Sequence, residues 1–152
     1  MAREKGFTLV ELIIVITVIA ILVVIALPRL RAMIDEGDTA KAAAELRALQ
    51  TAMESYYIHH GSAYPATGGT WESALTGATP TLIKTALLDP FSATSPPAQY
   101  QYSKTIDGKY YAIWSVGQDN VSDVTFNTTT GIITTAGDDI YVSNGASGVG
   151  GF

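Results

Sequence analysis

Residues 6–28 decide the fold: Gly6-Phe7-Thr8-Leu9-Val10-Glu11, then LIIVITVIAILVVIAL over residues 12–27, then Pro28. From Leu12 to Leu27 the only polar residue is Thr17. As a helix rising 1.5 Å per residue, residues 7–27 span about 31 Å, matching a hydrocarbon core of about 30 Å. A stretch so rich in Ile and Val suits a bilayer and not a soluble surface. Arg3 and Lys5 precede it and Arg29 and Arg31 follow it, so counting basic residues gives no orientation. A cleaved secretory signal has a shorter apolar region and a small-residue site after it, and neither is present here. The small residue at a natural boundary is Gly6, on the charged side, which closes the hexapeptide MAREKG.

Glu11 breaks the apolar run at its start. An acidic group in a membrane helix costs on the order of 2.5–3.5 kcal/mol near the centre and less near an end. Two readings stay open at this point. The side chain reaches the interface, or it meets a cation. A cut after Gly6 would supply one, since the new α-amino group of Phe7 would lie four residues away, in the same chain or a neighbour.

Across Lys5 to Pro28 the sequence resembles, nearly position for position, the class III signal of type IV pilins and pseudopilins. That resemblance implies a prepilin peptidase that cuts between Gly6 and Phe7 on the cytoplasmic side and methylates the new amine. It implies that Glu11 pairs with the Phe7 amine of an adjacent subunit during assembly of a helical homo-oligomeric filament. It also implies that Pro28 is a kink in a longer helix. Without it, Pro28 is a helix end, because an interior proline costs about 3 kcal/mol. The expected organisation is a leader at 1–6, a transmembrane segment at 7–28 and a periplasmic or extracellular pilin-like domain at 29–152.

Beyond Gly37, Ala42, Leu46, Leu49, Met53 and Tyr56 recur at spacings of a half-buried helix, with Lys41, Glu45, Arg47 and Glu54 off the stripe. Gly61 is the expected C-cap, and Tyr64-Pro65 reinforces the stop. His59 and His60 point to different faces and so make a poor chelating pair; they suit the negative end of the helix dipole. Tyr56, Tyr57 and Tyr64 are expected to pack under a loop. A short helix is expected around Trp71–Leu75. QYQYSKT and KYYAIWSV read as two strands joined at Asp107-Gly108, and VTF and IITT as a second hairpin. The tail SNGASGVGGF is glycine-rich. The fold class is α+β: a long N-terminal helix packed on a small antiparallel β-sheet.

The chain has 152 residues, a net charge of −5 and no cysteine. Disulfides, thiolate metal sites and thiol catalysis are therefore excluded. Its nine Lys and Arg residues are scattered, which argues against nucleic acid as a partner. No nucleophile stands beside a base and no phosphate-binding loop is present, so no enzyme activity is expected.

Asp119, Asn120, Asp123, Asp138 and Asp139 gather in turn-rich sequence around the second hairpin. Asp and Asn favour turns for their own reasons. The alternative is calcium, which takes six to eight oxygen ligands. Leu88-Asp89-Pro90-Phe91, Tyr100-Gln101-Tyr102, Ser115-Val116-Gly117-Gln118-Asp119 and Asp138-Asp139-Ile140 follow in an order that resembles the major pseudopilin of type II secretion. The resemblance implies calcium, with Asp119 and Asp139 as side-chain ligands and Asp138 beside them. Four departures stand against the usual pattern. Phe91 replaces tryptophan, Ser92 replaces glycine, Asn120 replaces glycine, and the segment from Asp119 to Asp139 is longer.

The function implied is a structural subunit of a type II secretion pseudopilus. It would be inserted once in the inner membrane and then polymerise into a periplasmic filament with minor pseudopilins, driven by a secretion platform. A type IV pilin forming a surface filament is the rival within the class. A membrane-anchored binding domain that never polymerises is the rival outside it.

Overall fold

The computed structural model describes residues 7–145; Gly6, the rest of the hexapeptide, and most of the glycine-rich tail lie outside those residues. Helix α1 runs Leu9–His59 and α2 Trp71–Thr76. The strands are β1 Gln101–Lys104, β2 Tyr111–Ser115, β3 Thr125–Phe126, β4 Ile133–Thr134 and β5 Ile140–Ser143. The fold is the expected α+β class, with α1 packed on a small antiparallel sheet. The chain divides into two units, Met1–Gly37 and Asp38–Phe152.

In the first unit α1 is apolar and exposed, from Leu9 through Ile34. It is long and apolar enough to cross a membrane. Thr17 satisfies its hydroxyl by donating to the Ile13 carbonyl at 2.7 Å. Pro28 lies inside the helix, not at its end. Its lost hydrogen bond is tolerated, which rules out the helix-end reading of that residue.

In the second unit the helical stripe is buried as expected: Ala42, Leu46, Leu49 and Met53 have no exposed surface, and Ala52 joins them. Each fully buried large apolar side chain contributes about 1.5–3 kcal/mol. The helix closes through Gly61 at φ +68°, with the Ser62 N–H donating to the Tyr57 carbonyl at 3.0 Å. That six-to-one bond with a left-handed glycine is a Schellman stop.

The three-stranded sheet has order β1-β2-β5, antiparallel throughout, and β3-β4 form a separate hairpin. Every residue of β2 is buried, because both faces of the sheet are covered. Successive side chains alternate in direction. Tyr111 and Ile113 join the cluster formed with α1, while Ala112 and Trp114 join Ile133 and Tyr141 beneath the β3-β4 hairpin. Strand β5 is the element not expected from the sequence. It pairs Trp114 with Tyr141 and Ile113 with Val142.

Glu45 and Glu54, off the apolar stripe, are half-buried and receive tyrosine hydroxyls: Tyr100 to Glu45 at 2.6 Å and Tyr111 to Glu54 at 2.9 Å. Tyr64 is buried, with its ring 4.7 Å from that of Tyr57. Glu72 on α2 is fully buried and accepts the Leu87 N–H at 2.6 Å through one oxygen, while its other oxygen has no partner. Burial pushes its carboxyl up to about 7; the Leu87 bond opposes the rise and the charge of Glu45 adds to it. The folded chain therefore holds this proton through a pH range in which the unfolded chain, at 4.5, has lost it. The associated stability is present below about pH 4.5 and is lost as pH rises to about 7. Glu72→Gln should gain on the order of 1–2 kcal/mol at pH 8, a figure held down by solvent screening, and nothing at pH 4. Melting curves of the detergent-solubilised pair across pH check this; a gain of equal size at both ends would refute it.

Candidate functional site

The start of α1 is built by Thr8 and Glu11. The Thr8 N–H and hydroxyl both donate to Glu11 Oε2, at 2.9 and 2.7 Å, and the Glu11 N–H donates to Thr8 Oγ1 at 3.2 Å. This is a capping box, Thr-x-x-Glu, in which each residue satisfies an orphan donor of the other. This local role of Glu11 is additional to that of a membrane charge, and Thr8-Leu9-Val10-Glu11 spells it out in the sequence. The box also places the carboxylate at the peptide group joining Phe7 to Thr8. An amine created at Phe7 would lie one residue from atoms that Glu11 already holds.

The second constellation is an acidic clasp in the other unit, reached from β2 and from the start of β5. Asp89 sets its base. This buried carboxylate accepts the Phe91 N–H at 3.0 Å, the Ser115 hydroxyl at 2.7 Å and the Val116 N–H at 3.1 Å. It ties the Leu88–Phe91 turn to the end of β2, a role that its place in the sequence motif does not reveal. Beyond it Gly117 takes φ +69°, and an added Cβ would stand 2.8 Å from the Asp138 carboxyl and carbonyl. Asn120 follows at φ +61°, a left-handed position that asparagine tolerates, which accounts for its standing where glycine is usual.

Asp119, Asp138 and Asp139 are brought together, with one carboxylate oxygen from each within 4.8 Å of the others. Asp138 Oδ2 accepts the N–H groups of Gln118 and Asp119. Asp139 Oδ2 accepts those of Asp123 and Val124, at 2.6 and 2.9 Å. The two neighbouring aspartates thus clip both sides of the loop entering the β3-β4 hairpin. Asp119 Oδ1 turns back to its own loop at the Val121 N–H, 2.8 Å away. Asp139 is nine-tenths buried, and its Oδ1 has no partner. Burial pushes its carboxyl up; its two N–H bonds oppose that, and the charges of Asp123 and Asp138 add to it.

Three hard oxygen donors, one of them buried and unsatisfied, are of the kind that calcium takes. The Asp123 carboxylate lies against Gly137, where an added Cβ would collide with it, and it stands outside the group of three.

Among known families, the prokaryotic N-terminal methylation motif matches residues 1–27. The family described as type II secretion system (T2SS), protein G matches residues 29–130, which includes Asp119 and stops short of Asp138 and Asp139. The type II secretion system core protein G of Escherichia coli K12 is 28% identical over 126 residues, 80% of this chain and 79% of that protein. The type IV major pilin protein PilE of Neisseria gonorrhoeae is 28% identical over 120 residues, 76% of this chain and 70% of its own. A type IV major alpha-pilin of Moraxella bovis is 46% identical, but over 55 residues, 36% of this chain and 35% of its own. No solved structure matches. A methylation motif leading straight into a protein G match that covers two thirds of the chain places this protein in the type II secretion system protein G family.

Proposed function

We propose that the chain is a structural subunit of a type II secretion pseudopilus, polymerising through α1 to help export folded proteins. The carrying observation is the pairing of an exposed apolar helix start with a globular part that matches protein G over residues 29–130. In the bilayer the apolar face of α1 is solvated by lipid. In a filament it is covered by the same face of other copies. That contact is heterologous and does not close, so it propagates as a fibre. A prepilin peptidase would cut between Gly6 and Phe7, and the freed amine would meet Glu11 of a neighbour. The subunit waits in the inner membrane and passes to a periplasmic filament, joined by minor pseudopilins. In this reading the work comes from the secretion platform and not from this chain.

Asp119, Asp138 and Asp139 would hold calcium. The ion would supply positive charge to three carboxylates and join the loop after β2 to the start of β5. The chain's own groups do the rest: Asp138 and Asp139 hold the loop backbone, and Gly117 and Gly137 leave room for the carboxylates.

A surface pilus is the second reading, favoured by the match to PilE over most of the chain. One experiment separates the readings. In cells carrying Gly6→Ala as the sole copy, the uncut precursor should accumulate and export of folded protein should fall to background. Normal processing would sink the cleavage assignment. Normal export alongside loss of long surface fibres would select the pilus, and neither effect would leave the non-polymerising anchor.

A further inference from the structure

Ile106, in the turn between β1 and β2, has 86% of its surface exposed, Ile132 just before β4 has 46%, and Tyr110 just before β2 has 37%. Backbone contacts hold the three at one place. The Ile106 N–H donates to the Thr128 carbonyl at 2.9 Å, and the Asn127 N–H donates to the Ile132 carbonyl at 2.9 Å. The Tyr110 ring lies on Gly131, where an added Cβ would stand 2.5 Å from it. Single apolar residues on a surface are ordinary, but a group of them on two adjoining turns marks an interaction site.

The chain delivers its own next segment to this place. Asn144, just past β5, accepts the Tyr111 N–H at 2.8 Å and donates to the Tyr64 hydroxyl at 2.9 Å and the Lys109 carbonyl at 3.0 Å. The Gly145 N–H then donates to Ser143 Oγ at 2.8 Å. Gly145 sits so close to Gly131 that an added Cβ would stand 2.6 Å from the Gly131 carbonyl oxygen. The same glycine is therefore touched by the Tyr110 ring and by the last described residue. Residues 146–152 follow, Ala-Ser-Gly-Val-Gly-Gly-Phe, with no charge and two large apolar side chains, Val149 and Phe152. Separated by glycines, those two have too little apolar surface around them in the segment to build a core of their own. At up to about 3.6 Å per extended residue, Val149 reaches about 14 Å from Gly145 and Phe152 about 25 Å. Both lengths suffice for a patch that begins at Gly131.

We propose that Val149 and Phe152 of this chain dock on the patch of Ile106, Tyr110 and Ile132, so that segment 146–152 covers the meeting point of the β1-β2 turn and the β3-β4 hairpin. The inference goes beyond the filament reading and does not depend on it.

Phe152→Trp in the detergent-solubilised full-length chain supplies the probe, read by acrylamide quenching. Trp71 and Trp114 are 4% and 9% exposed and contribute little to that signal. The new indole should be quenched about threefold less than in the same chain carrying Ile106→Ser and Ile132→Ser, because a packed ring is shielded from solvent. The shielding should not change on dilution. Equal quenching with and without the serines overturns the docking, and so disposes of shielding by detergent alone. Shielding that fades on dilution also overturns it and gives the patch to a second copy. A melting temperature near that of the parent shows that the serine variant folds. Should it not fold, Val149→Ser in the Phe152→Trp chain leaves the patch untouched and should itself raise quenching; unchanged quenching there overturns the proposal.

Discussion

Glu11→Ala should abolish filament assembly, while Glu11→Gln decides why. Glu11 has two roles that a single deletion confounds. It caps the helix through Thr8, and it offers a carboxylate to the amine that processing creates at Phe7. A helix cap is worth about 1 kcal/mol. Breaking an ion pair surrounded by apolar helices costs about 3–5 kcal/mol, because the partner is left charged and unpaired. The first loss would weaken subunit association several-fold, the second by a hundred-fold or more. Glutamine keeps the cap, since its amide oxygen accepts the Thr8 N–H as the carboxylate does. If Glu11→Gln forms filaments as well as the wild type while Glu11→Ala does not, the cap is the function and the amine pairing falls. If both fail equally, the charge is required. Electron microscopy and quantitation of sheared filaments read the result. Recovery of processed, membrane-inserted subunit in each case shows that the loss lies in assembly.

Local patterns carried most of the architecture. The membrane half of α1 follows from an apolar run with one back-bonded threonine, and its second half from the Ala42–Met53 stripe. Asp107-Gly108 marks the β1-β2 turn, where Gly108 takes φ +69°. What stayed hidden depends on partners far along the chain. Strand β5 has four residues beside two aspartates and reads as loop; it exists because β2, whose paired residues lie 25–31 positions earlier, offers it an edge. Glu45 and Glu54 look like solvated charges until tyrosines from 55 and 57 residues away reach them. Glu72 looks like an ordinary helix carboxylate until the Leu87 N–H arrives over it. At the acidic clasp the residue types and their gathering were legible. The division of labour was not, because Oδ2 of Asp138 and Asp139 serves the backbone, and nothing in the spacing distinguishes that from ligation.

That division makes the calcium hypothesis sharply testable. Each clip aspartate spends one oxygen on backbone N–H groups and leaves the other for an ion, so the loop has a defined path before any ion arrives. A ligand that binds only the folded chain stabilises it by mass action, about 2.7 kcal/mol at one hundred times its dissociation constant. For a domain of this size that amounts to a rise of roughly 8–15 °C in melting temperature. The detergent-solubilised full-length chain should therefore melt higher in calcium than in chelator. Asp139→Asn should remove the response while keeping an acceptor for the Asp123 and Val124 N–H groups, so its chelator melting point should stay near that of the wild type. Asp107→Asn is the control: it loses an exposed pair with Lys109 at 3.4 Å and should retain the full calcium shift. Trp114 supplies a second readout, because its indole N–H donates to Ser122 in the clasped loop at 2.8 Å. Its fluorescence should move with calcium in the wild type and stay still in Asp139→Asn. Equal melting points in calcium and chelator, with unmoved Trp114 emission, would leave the three aspartates as turn residues and the two backbone clips as their whole function.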